Sequence, residues 1–290
     1  MTNWVQLSPS RLHHLRFGVA FGSTDVGTVR SSNEDNFLIN EALGLVMLGD
    51  GMGGHHGGEI ASAEALCSVR DFIRAAQHAA TEDDDKTISP MLFAHNRAAF
   101  EASDPEATWS DANVPAVLVA FDAIEHANQH LFKQNVAQEI AEGEGMGTTL
   151  TGFWRPSLDG PIVVFHVGDS RLYRYRSGEM TIMTRDQTQY QAAIDSGLLI
   201  NLPPRNFLLQ AVGPTPTVKP DVHAHAVVPG DLFMLCSDGL HGPVPYAEID
   251  TVMASVTADR LEQACGRLIA LAKEYGGRDN ITVVMARIHD

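Results

Sequence analysis

The chain has 290 residues, 44% of them hydrophobic, with 20 lysines and arginines against 36 aspartates and glutamates, a formal charge of −16. This composition supports one large buried core or two modest ones, and no Pro/Ser/Gly-rich linker divides the chain. The acidic balance argues against nucleic acid or an anionic membrane as the main partner, since both reward clustered Lys and Arg.

Residues 1–16 read as an N-terminal extension without an apolar core of signal-peptide length, and residues 17–290 as a single domain. Phe17 to Ser23 and Asn36 to Asn40 are expected strands flanking the loop Thr24 to Asp35, and Leu43 to Gly49 is a third. Beyond the glycine-dense turn Gly51 to Gly58, the spacing of Ile60, Ala63, Leu66, Cys67 and Phe72 predicts a helix over 59–80. Residues 81–113 lose periodicity, open on the charge run Glu82 to Lys86, and read as an insertion with a short helix at Pro90 to Phe100. A second long helix is predicted over Val117 to Glu142. Thr148 to Trp154, Ile162 to Gly168 and Leu172 to Arg176 have strand character, and Ser177-Gly178 turns the last into Met180 to Met183.

Thr188 to Ser196 reads as helix, and residues 197–220, with five prolines, as a surface excursion. Asp221 to Val228 and Asp231 to Ser237 read as a hairpin around Pro229-Gly230. Helices at Tyr246 to Ala254 and Arg260 to Glu274 precede a last strand, Ile281 to Ile288. Strands come in groups with helices between the groups. That order predicts antiparallel sheets covered by helices, an α+β sandwich. Cys67, Cys236 and Cys265 lack CxxC spacing and read as small buried hydrophobes of a reducing compartment. With no membrane-length apolar stretch, a cytoplasmic location is expected. His13, His14, His223 and His225 read as surface residues.

The chemistry concentrates at two places. Leu45-Val46-Met47-Leu48-Gly49-Asp50-Gly51 and Leu232-Phe233-Met234-Leu235-Cys236-Ser237-Asp238-Gly239 each deliver an Asp-Gly pair from an apolar run. One such pair alone reads as a tight turn. Arg30-Ser31-Ser32-Asn33-Glu34-Asp35 and Gly277-Arg278-Asp279-Asn280 add further acids. Glu34, Asp35, Asp50, Asp238 and Asp279, with no Cys or His at ligand spacing, suit hard, oxygen-preferring cations rather than zinc. Brought together unpaired, such carboxylates repel and their pKa values rise; two divalent cations reverse that and acidify a water, in comparable sites from 15.7 to roughly 7. Arg30 offers a planar fork for two phosphoryl oxygens. The reaction that fits is hydrolysis of a phosphate ester. The glycines at 53, 54, 57 and 58 are followed by no Gly-Lys-Ser/Thr, which favours a tight turn over a phosphate loop. Ser170 and His166 lack a nucleophile elbow.

Six segments in order resemble the PPM family, the metal-dependent type 2C protein serine/threonine phosphatases, in their bacterial branch. They are Asp25-Val26-Gly27 with Arg30 to Asp35, Gly49 to His55, Gly145 to Leu150, His166 to Arg171, Cys236 to Leu240 and Gly277 to Thr282. The resemblance implies a central antiparallel β-sandwich with helices on both sides, a flap over 197–220, and two Mn²⁺ or Mg²⁺ ions. It implies that Asp50 bridges the ions, that the Gly51 carbonyl binds one, and that Asp238 and Asp279 bind the other. Glu34 and Asp35 then lie in or beside the shell, Arg30 clamps the substrate phosphate, and Asp169 and Asn280 support. The activity implied is dephosphorylation of phosphoserine and phosphothreonine in proteins by an activated water, without a phospho-enzyme. Phosphoproteins are the expected partners, with a cognate serine/threonine kinase by analogy, and a monomer is expected.

Two departures stand out. Animal relatives carry a proposed general acid, histidine, where this chain has Met52, leaving His55, His56 or a metal-bound water to protonate the leaving group. A family aspartate for a third ion is replaced by Gly242, and Glu144 stands in for the other third-ion acid, so a third ion is expected to bind weakly or not at all. Two rival readings remain at this stage: a pseudophosphatase scaffold, and a metallohydrolase acting on small phosphorylated metabolites.

Overall fold

Leu45, Val46, Met47 and Leu48 are all fully buried, so their strand needs cover on both faces and belongs at a sheet centre. It does lie there. In the computed structural model, which describes residues 6–53, 57–82 and 113–289, β4 (Leu45–Met52) pairs with β3 (Asp35–Asn40) on one side and β6 (Leu150–Trp154) on the other. β7 (Ile162–Val167) and β10 (Asp221–His225) extend this sheet, and the two-residue β5 (Gly147–Thr148) pairs with the tip of β4. A second antiparallel sheet has the order β1 (His13–Leu15), β2 (Gly18–Asp25), β12 (Ile281–Ile288), β11 (Leu232–Cys236), β8 (Arg171–Arg176) and β9 (Glu179–Ile182).

Alternation along each strand sorts side chains between layers. From β4, Leu45 and Met47 join Ala61, Leu66, Ile73, Ile124 and Leu131 under α1 (Gly58–Glu82) and α2 (Val114–Ala137). Val46 and Leu48 turn inward, with Phe37, Phe153, Phe233 and Val284, to fill the space between the sheets. On the far side, Met234, Cys236 and Met285 pack under α4 (Asp238–His241), α5 (Tyr246–Met253) and α6 (Leu261–Glu274). Helices, sheet, sheet and helices form four layers, which is the α+β sandwich expected. Among the described residues no helix is long and apolar enough to cross a membrane.

Several sequence expectations need correction. The extension drawn at residues 1–16 includes β1, whose His13, His14 and Leu15 pair with Ala20, Val19 and Gly18. The second long helix starts at Val114 and stops at Ala137, short of Glu142, because Glu139 takes a left-handed φ of 58°. Asp221 to Val228 and Asp231 to Ser237 do not form a hairpin. β10 pairs with β7 while β11 pairs with β12 and β8, so the Pro229-Gly230 turn carries the chain from one sheet to the other. Asp231 holds that crossing by accepting from the Val228 backbone at 2.9 Å and from both Arg176 nitrogens at 2.6 Å.

Three of the four supposed surface histidines are buried. His13 is held by Glu41 at 2.9 Å and the Pro9 carbonyl at 3.1 Å. His223 and His225 alternate with Val222 and Ala224, which face the helices, and so point to the other side of their sheet. Cys67 is only half-buried, whereas Cys236 and Cys265 are buried. α3 (Gln189–Asp195) forms where expected, capped by Thr188, whose hydroxyl accepts from Gln191 N at 3.1 Å. The expected helix at Pro90 to Phe100, most of the 81–113 insertion, and His55 and His56 lie outside the described residues.

The two sheets meet through aromatic rings, Phe153 and Phe233 lying 5.3 Å apart and tilted by 43°. Phe233→Ala should cost about 3–5 kcal/mol of unfolding free energy through the cavity it leaves. Chemical denaturation reads this directly, and a loss below about 1 kcal/mol would show that the inter-sheet layer repacks freely.

Candidate metal centre

Strand polarity brings the sequence-predicted acids to one end of the sandwich. β4 ends at Asp50-Gly51, cross-strand from Asp35, the first residue of β3. In the other sheet β11 ends at Cys236 opposite Val283, and β12 starts at Ile281 opposite Asp25, the last residue of β2. Asp238 therefore follows one strand tip and Asp279 precedes its neighbour. The sheets are tied at this end by Asp35, whose Oδ2 accepts from Ser237 Oγ and from Thr282 Oγ1, both at 2.7 Å.

Glycines are required where backbones cross. A Cβ on Gly51 would lie 2.1 Å from the Gly58 carbonyl oxygen, and one on Gly239 would lie 1.9 Å from that of Asn280. These clashes are with backbone and cannot be relieved by a rotamer change. The Asp-Gly pairs thus let the β4 tip meet the start of α1, and α4 meet the start of β12.

Asn280 locks the Arg30 loop. Its Nδ2 donates to the carbonyls of Val26 at 3.1 Å and Ser32 at 2.9 Å, and its Oδ1 accepts from Glu34 N at 2.8 Å. The Glu34 carbonyl in turn accepts from Gly51 N at 3.2 Å and Ser62 Oγ at 2.7 Å. The Glu34 carboxyl sits against Gly58 at the start of α1, where an added Cβ would lie 2.8 Å from its Cδ. On the opposite side Asp50 N donates to Thr149 Oγ1 at 2.9 Å, and that hydroxyl meets Ser170 Oγ at 2.8 Å.

Electrostatics mark the cluster. Burial, together with Asp35, Asp238, Asp169 and Asp279, raises the Asp50 carboxyl well above the ordinary range. Asp35 is raised to about 7 by burial, the hydroxyls of Thr282 and Ser237 opposing and Asp238 and Asp279 adding. Asp238 rises to about 6 through burial and Asp279, with Arg30 and a hydrogen bond to Asp50 resisting. Asp169, buried and close to Asp238 and Asp186, rises to about 8. His241, whose Nε2 lies 2.9 Å from the Asp169 carbonyl, is depressed to about 4 by burial and by Arg171.

Arg30 and Asp279 do come together, but onto each other. Arg30 Nη2 donates to Asp279 Oδ2 at 2.8 Å, with both side chains more than a third exposed. Among the described residues no three His, Cys, Asp or Glu side chains stand in the arrangement of a formed coordination shell. The charge coupling is nonetheless between Asp35, Asp50, Asp169, Asp238 and Asp279. Asp35 and Asp279 are turned toward hydroxyl and guanidinium donors that a cation can replace. An all-oxygen donor set under mutual repulsion fits a hard divalent ion. Glu144 is exposed on the turn before β5, and its backbone N donates to the Ala141 carbonyl at 3.0 Å. Met52, half-buried, packs near Gly147. Sequence reasoning missed Thr149, Ser237 and Thr282. Their signal was adjacency, each hydroxyl lying beside a strand tip that carries an acid.

These raised carboxyl pKa values have a sign. A carboxyl with a folded pKa above its unfolded value stabilises the fold fully below the unfolded value, near 4, and that contribution is lost as pH rises through about 6 to 8. The protein in EDTA should therefore melt roughly 3 °C or more lower at about pH 8 than at about pH 5.5, and Mn²⁺ should abolish or reverse that trend. Differential scanning calorimetry decides, and a melting temperature in EDTA that rises over the interval would contradict the cluster.

Known proteins resemble this chain in sequence and in fold. The protein phosphatase 2C family model matches residues 28–281. The serine/threonine protein phosphatase PstP of Mycobacterium tuberculosis is 30% identical over 272 residues, covering 92% of this chain, and the chain spans 44% of that relative's length. A crystal structure of PstP superposes with a TM-score of 0.71 at 28% identity, covering 93% of this chain and 98% of that one. A second, of the PstP catalytic domain in complex with two manganese ions, gives 0.66 at 29% identity, with the same coverage. A single match spanning both Asp-Gly strand tips and the Arg30 loop, with the fold to carry them, leaves one conclusion: the chain belongs to the protein phosphatase 2C family of metal-dependent serine/threonine phosphatases.

Proposed function

We propose that this chain hydrolyses phosphoserine and phosphothreonine in proteins, using two Mn²⁺ or Mg²⁺ ions held at the shared end of its sheets. The observation that carries the reading is the coupled carboxyl cluster of Asp35, Asp50, Asp238 and Asp279 beside Arg30. Asp50 and the Gly51 carbonyl would help hold the ions. Asp238 and Asp279 would do so as well, with Glu34 and Asp35 in or beside the shell. When bound, the ions supply Lewis acidity, lowering the pKa of water and neutralising phosphoryl charge.

The protein's own groups do the rest. A cation drawing on Asp279 would weaken its ion pair with Arg30, and a loosened pair leaves the Arg30 fork available to two phosphoryl oxygens. Asn280 keeps the Arg30 loop and Glu34 in register with Asp279. Neither the Ser170 hydroxyl nor the Cys236 thiol is set up as a nucleophile. The Ser170 hydroxyl is tied to Thr149, and burial pushes the Cys236 thiol up to about 12. That supports direct attack by water, without a phospho-enzyme.

Two ions rather than three are expected. Gly242 lacks a ligand side chain, and a Cβ there would sit 2.7 Å from the Asp238 carbonyl oxygen. Residues 197–220 serve as a flap for substrate selection, a role supported by the exposure of Leu199 (82%) and Ile200 (73%). The substrates require a serine/threonine kinase upstream, and the three free cysteines fit a reducing, cytoplasmic compartment. Asp50→Ala should abolish Mn²⁺-dependent hydrolysis of a phosphothreonine peptide, and Arg30→Ala should lower kcat/KM by roughly 10- to 100-fold. Phosphate release measures both, and activity of the unaltered chain no greater than that of Asp50→Ala would overturn the reading.

A further inference from the structure

Most of the cations around the metal-centre end are paired with carboxylates. Arg30 faces Asp279, Lys273 faces Asp25, Arg171 grips Asp186 and Arg185 pairs with Asp195. Arg205, exposed on the 197–220 segment, has no carboxylate partner among the described residues. It is nevertheless held. Its guanidinium carbon lies 4.1 Å above the centre of the Tyr190 ring, and Nη2 donates to Tyr190 Oη at 2.7 Å. A guanidinium fixed by stacking and one hydrogen bond keeps its other N–H donors available, and loses less freedom when an anion arrives.

Its place is tied to the acidic cluster by backbone. The segment carrying Arg205 returns to the body of the protein through Gln189 N to the Phe207 carbonyl at 2.8 Å and Leu209 N to the Gln187 carbonyl at 2.7 Å. Gln187 then binds Gly168 in both directions, its N donating to the Gly168 carbonyl at 2.7 Å and its Oε1 accepting from Gly168 N at 3.0 Å. Gly168 precedes Asp169, whose carbonyl contacts His241 in the helix that begins at Asp238. The charge of Arg205 reaches the buried His241 ring.

We propose that Arg205, positioned by Tyr190, is a specificity residue that receives a second anionic group, a carboxylate or a phosphate, on the phosphoprotein substrate. This rests on the phosphatase reading above. In a chain of formal charge −16, an acidic substrate meets repulsion over most of the surface, so an arginine that is held in place without a carboxylate partner, on a segment tied by backbone to the centre, favours an acidic neighbour. Arg30 would take the phosphate being cleaved and Arg205 its acidic neighbour.

The test uses phosphothreonine peptides identical except that the flanking residues are glutamine, glutamate or a second phosphothreonine. Their kcat/KM values with Mn²⁺ are compared as ratios within each protein, so that any general change in a variant cancels. The unaltered chain should prefer an acidic flank by roughly three- to tenfold, the preference shrinking with added salt. Arg205→Gln should bring the ratio near one, while Arg205→Lys and Tyr190→Phe retain part of it. A larger gain from phosphate than from glutamate identifies the anion as a phosphate, and equal gains identify it as any carboxylate or phosphate. No preference in the unaltered chain, or a preference untouched by Arg205→Gln, overturns the proposal. Failure to hydrolyse any of the peptides would instead sink the phosphatase reading itself.

Discussion

Five carboxyl groups, those of Asp35, Asp50, Asp169, Asp238 and Asp279, share one end of the sandwich, and for the first four burial raises rather than relieves the cost of their charge. Like charges at such density separate unless covalent geometry prevents it. Here antiparallel register prevents it. Asp50 and Asp35 are cross-strand partners, and Asp238 and Asp279 are anchored by the β11–β12 ladder that opens with Cys236 and Val283. Ser237 and Thr282 then hold Asp35 across the gap between sheets, so neither sheet can shift alone to relax the repulsion. The stored unfavourable energy is what a divalent cation can release, and it converts a structural liability into affinity.

The surrounding core makes that tolerable. Phe37, Phe153 and Phe233 pack between the sheets, and α1, α2 and α6 cover their outer faces, so the strand tips are held by a large apolar body. Close backbone crossings at Gly51 and Gly239 bring the acids nearer than side-chain-bearing residues would allow. The same economy explains Asn280, one amide that braces Val26, Ser32 and Glu34 together. Stability made elsewhere is thus used at the site, where local interactions are mutually opposed.

Much of this was legible in the residues. The apolar runs ending in Asp50 and Asp238 read as strand tips because burial on both faces leaves an uninterrupted apolar pattern, and Ser177-Gly178 read as a turn by residue type, which its positive φ angles bear out. What was hidden is tertiary. Periodicity identifies Asp221–His225 and Leu232–Cys236 as strands but is blind to which sheet each joins, so a sheet-crossing turn looks like a hairpin. β1 has three residues, two of them histidines, too few to show a period. His223 and His225 are polar by type yet buried by alternation. Arg30 and Asp279 were each recognisable, but their mutual ion pair depends on a contact 249 positions apart in sequence.

The account stands on carboxyls that retain protons at neutral pH until divalent ions displace them. Isothermal titration with Mn²⁺ at about pH 7, repeated in buffers of different ionisation enthalpy, measures the ions bound and protons released together. Two ions per chain with net release of at least about one proton is the predicted result, since folded pKa values of about 6 to 8 leave the cluster partly protonated there. Binding without proton release, or no binding, would contradict it.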